Sequence, residues 1–312
     1  MFDYKRDYSS PDFVEATGAR VVKPFRIPLN LFDTRDLGDS AVPWLDRFRF
    51  FADVLDKIYS GIGPVQRDKL KRAVKQAYSA RREAPTIYDV HAAYAELLDG
   101  RSDSPMSIID DLVDMEIFEP DPAKCLTFNE FLNGTVIISL DALGQDDRSK
   151  NMLVAVMLNM FYENMLRTPK REFVGVDPQL RAIDSYLLVD EADNIMRYEF
   201  DVLRKLLLQG REFGCGVILA SQYLRHFKAG ATDYKEPLLT WFLHKVPSVT
   251  PAELGALGLI GPAASELAER VKTLDIHQCL YKSFDVAGEI VRGLPFFELL
   301  KRETKARSEA VT

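Results

Sequence analysis

Two unbroken apolar runs constrain this chain more than any other feature: "YLLVD" at residues 186–190 and "GVILASQ" at 216–222, with "RYEFDVLRKLLLQGREFG" (197–214) between them. A half-solvated strand alternates apolar and polar residues, whereas a strand apolar at every position is covered on both faces. Two such strands joined by a helix, ended here by Gly214, predict neighbours in a parallel sheet, because parallel pairing needs a crossover of that length. The first run then drives straight into Asp190, Glu191 and Asp193. Like charges repel there, and burial disfavours ionisation. A bound cation would offset both costs.

Elsewhere the periodicity changes with position. "FDY" opens as a short strand, and 19–32 reads as a second, ended by Pro24 and Pro28, which lack a ladder donor. From about 42 to 118 the spacing turns helical: Trp44, Phe48, Phe51, Val54, Leu55 and Ile58 fall three and four apart, as do Leu70, Val74, Ala77 and Tyr78. "TIYDVHAAYAELL" and "SPMSIIDDLVDMEIF" predict two more helices. "GTVIISLDAL" (134–143) resumes a strand, and "SKNMLVAVMLNMFYENMLR" predicts a helix apolar on most faces and therefore buried. "TWFLHKV", "QCLYKSF" and "EIVRGLPF" supply further strands. The expected class is α/β: a mostly parallel sheet flanked by helices, its core formed by 1–34 and 119–300. An all-helical insertion occupies 35–118, and a loose tail 301–312.

Composition narrows the function classes. A net charge of −7 excludes a surface coated in basic residues, so any nucleic-acid contact falls to local clusters. Cys125, Cys215 and Cys279 lie far apart with no C-x-x-C pair, which disfavours a disulfide framework and a structural metal. No run reaches 18 apolar residues and "MFDYKRDYSS" lacks the apolar core of a signal peptide, so the expectation is cytoplasmic, with no membrane partner.

In open parallel sheets ligands bind outside the carboxyl ends of the strands. Asp190 at such an end is placed to hold magnesium, usually through water, while Glu191 can orient an attacking water by accepting its proton. A strand that merely ends in a polar turn is the plainer alternative. Ser221 and Gln222 end the next strand, where Gln222 could sense a γ-phosphate. Arg211 ends the intervening helix, either as a cation favoured by the helix dipole or as an arginine finger acting across a subunit boundary. Arg225, His226 and Lys228 follow Gln222 and are the better DNA candidates. The face carrying Arg67, Lys69, Lys71, Arg72, Lys75, Arg81 and Arg82 reads first as a solvated helix face and second as a phosphate or subunit contact. His91, His244 and His277 read as packing or surface residues.

"YLLVDEAD" followed by "LLLQGREFGCGVILASQYLRHF" resembles the Walker B and following segment of the HerA and FtsK superfamily of ring-forming, DNA-translocating ATPases, and is similar also to conjugative coupling proteins. "FDYKRDYSS" resembles that family's strand-end motif of Asp, three residues, an acid, Tyr and Ser, with Asp7 where HerA proteins more often carry Glu; "VVKPFRIPLNLFD" resembles the stretch that follows. The resemblance implies a RecA-like fold, ATP and Mg2+ as cofactors, DNA as partner and a ring, a hexamer, of like subunits, and it admits a nuclease partner. By it, Asp190 is the magnesium aspartate, Glu191 the catalytic acid, Asp7 a second acid near the attacking water, Gln222 the sensor and Arg211 the trans-acting arginine. Asp3, Asp190 and Ser221 join the nucleotide site. Repair, conjugation, restriction and phage defence all employ such motors.

One departure is large. G-x-x-x-x-G-K-[ST] occurs nowhere, so the sequence supplies neither glycine amides to cradle phosphates nor the lysine for the β and γ oxygens. The expectation is that this loop precedes Met1, with a naturally degenerate subunit as the alternative; by itself this polypeptide should bind ATP poorly. Two contrasting functions stay open: a non-catalytic RecA-like interaction module, and a two-metal nuclease, which ranks lowest because no Lys-containing nuclease signature accompanies the acids.

Overall fold

The computed structural model describes residues 1–35, 37, 40–58, 61–81, 83–176, 180–283 and 288–302. Residues 303–312, most of the expected tail, and Arg82 of the basic face lie outside them. The chain forms two compact units, Met1–Ala220 and Ser221–Thr312.

The first unit is built on a five-stranded parallel sheet in the order β2-β3-β1-β4-β5, with β1 Phe2–Asp3, β2 Arg20–Val22, β3 Val136–Ser139, β4 Ser185–Val189 and β5 Cys215–Leu219. The predicted adjacency of the two apolar runs is realised from Ser185 opposite Cys215 to Val189 opposite Leu219. Phe2 pairs Ile138 on one side and Val189 on the other, so β1 is central. The second predicted strand is short, as its prolines require: past β2, Ile27 forms an isolated bridge to Phe118.

Helix α1 (Pro11–Thr17) follows β1, starting on the Ser10 cap and stopping at Gly18 in the left-handed region. The helical stretch then supplies α2 (Pro43–Ile58), α3 (Pro64–Ala80), α4 (Ile87–Glu96) and α5 (Ser104–Asp114), packed in succession through their apolar stripes. Short α6 (Phe128–Phe131) precedes β3, and α7 (Asp147–Arg167) follows it. Met152 to Leu158 of α7 are all buried, as an all-round apolar helix predicts, and α7 packs against α2, α6 and α9. Arg47 of α2 is buried, its Nη1 2.5 Å from Glu163 Oε2 of α7 and its Nε donating to the Asp33 carbonyl at 2.7 Å. Helices α8 (Asp193–Met196) and α9 (Asp201–Gln209) connect β4 to β5.

In the second unit, β6 (Lys228–Ala229) and β7 (Thr232–Asp233) form a hairpin, and β8 (Trp241–Leu243), β9 (Gln278–Lys282) and β10 (Glu289–Arg292) form an antiparallel sheet in the order β10-β9-β8. The last strands thus build their own sheet rather than extending the parallel one. The link between β9 and β10 is too short for a parallel crossover. Helices α10 (Pro251–Gly255) and α11 (Pro262–Lys272) complete the unit, with Thr250 and Glu253 capping α10 reciprocally. All three cysteines are buried and none is in a disulfide. Among the described residues, no helix is long and apolar enough to cross a membrane.

Candidate active site at the strand ends

From β1 the chain moves through α1 to β2 on one side of the sheet, whereas from β4 it moves through α9 to β5 on the other. Adjacent β1 and β4 therefore flank a topological switch point, the place where an open parallel sheet leaves a crevice outside its carboxyl ends. The loops bordering it carry Asp3 to Tyr8 on one bank and Asp190 with Glu191 on the other.

Asp3 organises the first bank. It is fully buried, and its two carboxylate oxygens accept from the backbone N–H of Lys5 (3.2 Å), Asp7 (3.0 Å) and Tyr8 (3.2 Å) and from the Ser9 hydroxyl (2.8 Å). Four donors satisfy a charge that burial alone would expel. Tyr4 anchors the same loop from below, its hydroxyl donating to Asn151 Oδ1 of α7 at 3.0 Å. Arg6 takes a left-handed backbone (φ 66), which turns Lys5 and Arg6 to opposite sides. Lys5 ion-pairs Glu191 beyond β4, and Arg6 ion-pairs Asp141 beyond β3.

The second bank continues the β4–β5 ladder: Ala220 N–H donates to the Val189 carbonyl at 3.0 Å, and Ala192 N–H to the Ala220 carbonyl at 2.8 Å. Between those bonds Glu191 sits in the left-handed region (φ 45) that residues with a Cβ seldom adopt. Burial pushes the Asp190 carboxyl above its ordinary range; the Glu191 N–H opposes this and the charges of Glu191 and Asp7 add to it. Burial likewise pushes the Tyr8 hydroxyl up to about 12, helped by Asp190, Asp7 and Asp3, so Tyr8 remains a donor facing the acids. Asp141 is lowered despite burial, because Ser139 and Arg6 hydrogen-bond to it.

Asp3, Asp7, Asp190 and Glu191 thus meet at one crevice. Among the described residues, no three His, Cys, Asp or Glu side chains are set to hold a metal by themselves. The acids present suit a hard cation that brings phosphate oxygens and water as its remaining ligands. Arg211 is exposed in the tight turn Gly210–Phe213 before β5, at the amino end of the strand whose neighbour carries Asp190 past its carboxyl end. Ser221 and Gln222 open the second unit just past β5; Ser221 Oγ lies 2.8 Å from His226 Nδ1, and Gln222 is exposed. The Arg225 guanidinium lies 4.2 Å from the Tyr223 ring centre, His226 meets that ring edge-on, and Lys228 is exposed at the start of β6. On α3 several cations already have partners: Arg67 pairs Asp53 at 2.7 Å, Arg72 lies 3.8 Å from Asp68, and Lys75 sits over Trp44.

Sequence reasoning assigned no role to Lys5, Arg6, Tyr8 or Asp141. The available signal for Lys5 and Arg6 was their place: two cations in the loop directly after the first strand.

A helix-flanked parallel sheet of five strands with this switch point is a RecA-like fold. Among solved structures, the chain is similar to VirB4 of Thermoanaerobacter pseudethanolicus, with a TM-score of 0.70 at 12% identity over 96% of this chain and 82% of that one. It is similar also to the bacterial conjugative coupling protein TrwBΔN70 in its unbound monoclinic form, with a TM-score of 0.55 at 14% identity over 88% and 73% of the two chains. The trigonal form of that protein, in complex with sulphate, gives 0.53 at 13% identity. At these identities the likeness is one of fold. No family model matches the chain, and no curated protein matches it in sequence.

Proposed function

We propose that this chain is the motor portion of a ring-forming ATPase that hydrolyses ATP to move or remodel DNA. The observation that carries the reading is the meeting of Asp7, Asp190 and Glu191 at the switch point of a RecA-like sheet. In this reading Asp190 would hold magnesium, through water, and the ion would supply neutralisation of the phosphate charge. Glu191 accepts the proton of the attacking water as its oxygen bonds to the γ-phosphorus and the bridging bond breaks, leaving ADP and phosphate. Asp7 is a second acid near that water, and Asp3 fixes the loop that presents it. Ser221 and Gln222, which follow the strand paired with the acid-bearing one, serve the nucleotide as sensor residues.

Arg211 lies before β5, at the end of the strands opposite Asp190 and Glu191, which suits a finger donated to a neighbouring subunit of a hexamer. DNA as the partner rests on the motif resemblance and on the fold shared with a conjugative coupling protein; Arg225, His226 and Lys228 are the residues we assign to it. Repair, restriction and phage defence, with or without a nuclease partner, are settings such a motor would serve. The sequence holds no phosphate-cradling glycine loop. That same lack favours the second reading, a RecA-like scaffold that holds partners without hydrolysing ATP. ATP turnover by the full gene product separates the two. Glu191→Gln should lower kcat at least about a hundredfold while nucleotide binding persists; turnover equal to that of the unaltered protein would remove Glu191 as the catalytic acid.

A further inference from the structure

The Lys5–Glu191 ion pair bridges the two banks of the crevice, joining residues 186 positions apart. Its members differ in freedom. The Lys5 side chain is 52% exposed and that of Glu191 16%, so the lysine is the mobile partner. Its backbone is not mobile in the same sense, because buried Asp3 holds the N–H groups of Lys5, Asp7 and Tyr8 together and Tyr4 is anchored to α7. The side chain can therefore swing while the loop stays.

The crevice needs such a cation. Asp190, Glu191 and Asp7 all lie close enough to act electrostatically on Lys5, and three carboxylates would repel a triphosphate. Arg6 is turned to the far side, onto Asp141. A lysine ammonium on a flexible stem, strongly attractive to phosphate as a point charge, is chemically suited to the task.

We propose that Lys5 is a phosphate-binding residue which exchanges partners: it pairs with Glu191 and transfers to a phosphate oxygen when nucleotide binds, releasing Glu191 to accept a proton. This rests on the nucleotide reading of the site. It also means that the base is masked until its substrate arrives.

The test measures the Kd of a fluorescent N-methylanthraniloyl-ATP with magnesium for the full gene product and four variants, each checked by circular dichroism for folding. Lys5→Ala should weaken binding about tenfold, the size of one charge-assisted contact, and Lys5→Arg should restore most of it. Glu191→Gln should tighten binding about threefold by freeing Lys5, but should give no tightening in the Lys5→Ala background. If the unaltered protein binds and Lys5→Ala binds equally well, the Lys5 assignment is wrong while the nucleotide reading stands. Equal tightening by Glu191→Gln with and without Lys5 would overturn the exchange. Absence of binding in every protein would overturn the nucleotide reading and this inference with it.

Discussion

Asp3 and Asp190 sit one residue past paired positions of neighbouring strands or at their very end, yet their environments oppose each other. Asp3 is enclosed and satisfied by four donors, whereas Asp190 is half-buried beside Glu191 and Asp7 and is held above its ordinary value of 3.8. A folded-state carboxyl raised above its unfolded value means the folded protein retains the proton to higher pH. The associated stability is present at low pH and is lost as pH rises through the window above 3.8. Asp190→Asn should therefore melt at a higher temperature than the unaltered protein near pH 7 without magnesium, and the gap should close toward pH 4. Thermal melts across that range check it; a lower melting temperature for the variant at pH 7 would contradict the assignment of repulsion and burial. A site residue that costs stability when empty is what a cation-binding carboxylate should be.

Among elements, the helical block α2–α5 is tied to the sheet layer through α7, and the Arg47–Glu163 pair fixes that junction. The Arg47 side chain is only 4% exposed, so removing it strands Glu163 and the Asp33 carbonyl without their donor. Arg47→Ala should cost about 3 kcal/mol of unfolding free energy, read from denaturant melts; a loss under about 1 kcal/mol would show that water replaces the pair. The helices of this block were legible because Trp44, Phe48, Phe51 and Leu55, and likewise Leu70, Val74 and Ala77, repeat at helical spacing. The pairing of β4 with β5 was legible because both are apolar throughout. The separate sheet β8–β9–β10 was not, since a short apolar strand carries no mark of its partner. Nor was the Lys5–Glu191 bridge, because sequence periodicity reports only local neighbours. Asp190 and Glu191 stood out by their abrupt step from apolar to charged, while Asp3's work inside its own loop left no such signature.

The whole molecule carries a net charge of −7 and brings acids from two loops to one crevice. That arrangement is unfavourable unless cations balance it, and the structure offers one in Lys5 while magnesium-bound nucleotide would bring the other. The central claim is thus a location: metal and triphosphate at the carboxyl ends of β1 and β4. Replacing magnesium with Fe2+ in the presence of ATP, then generating hydroxyl radicals with ascorbate and peroxide, cuts backbone next to the bound metal, and mass spectrometry maps the cuts. The account predicts ATP-dependent cleavage within residues 3–8 and 189–192 of the full gene product, abolished by Asp190→Asn. Cleavage elsewhere, or the same pattern with and without ATP, would contradict it.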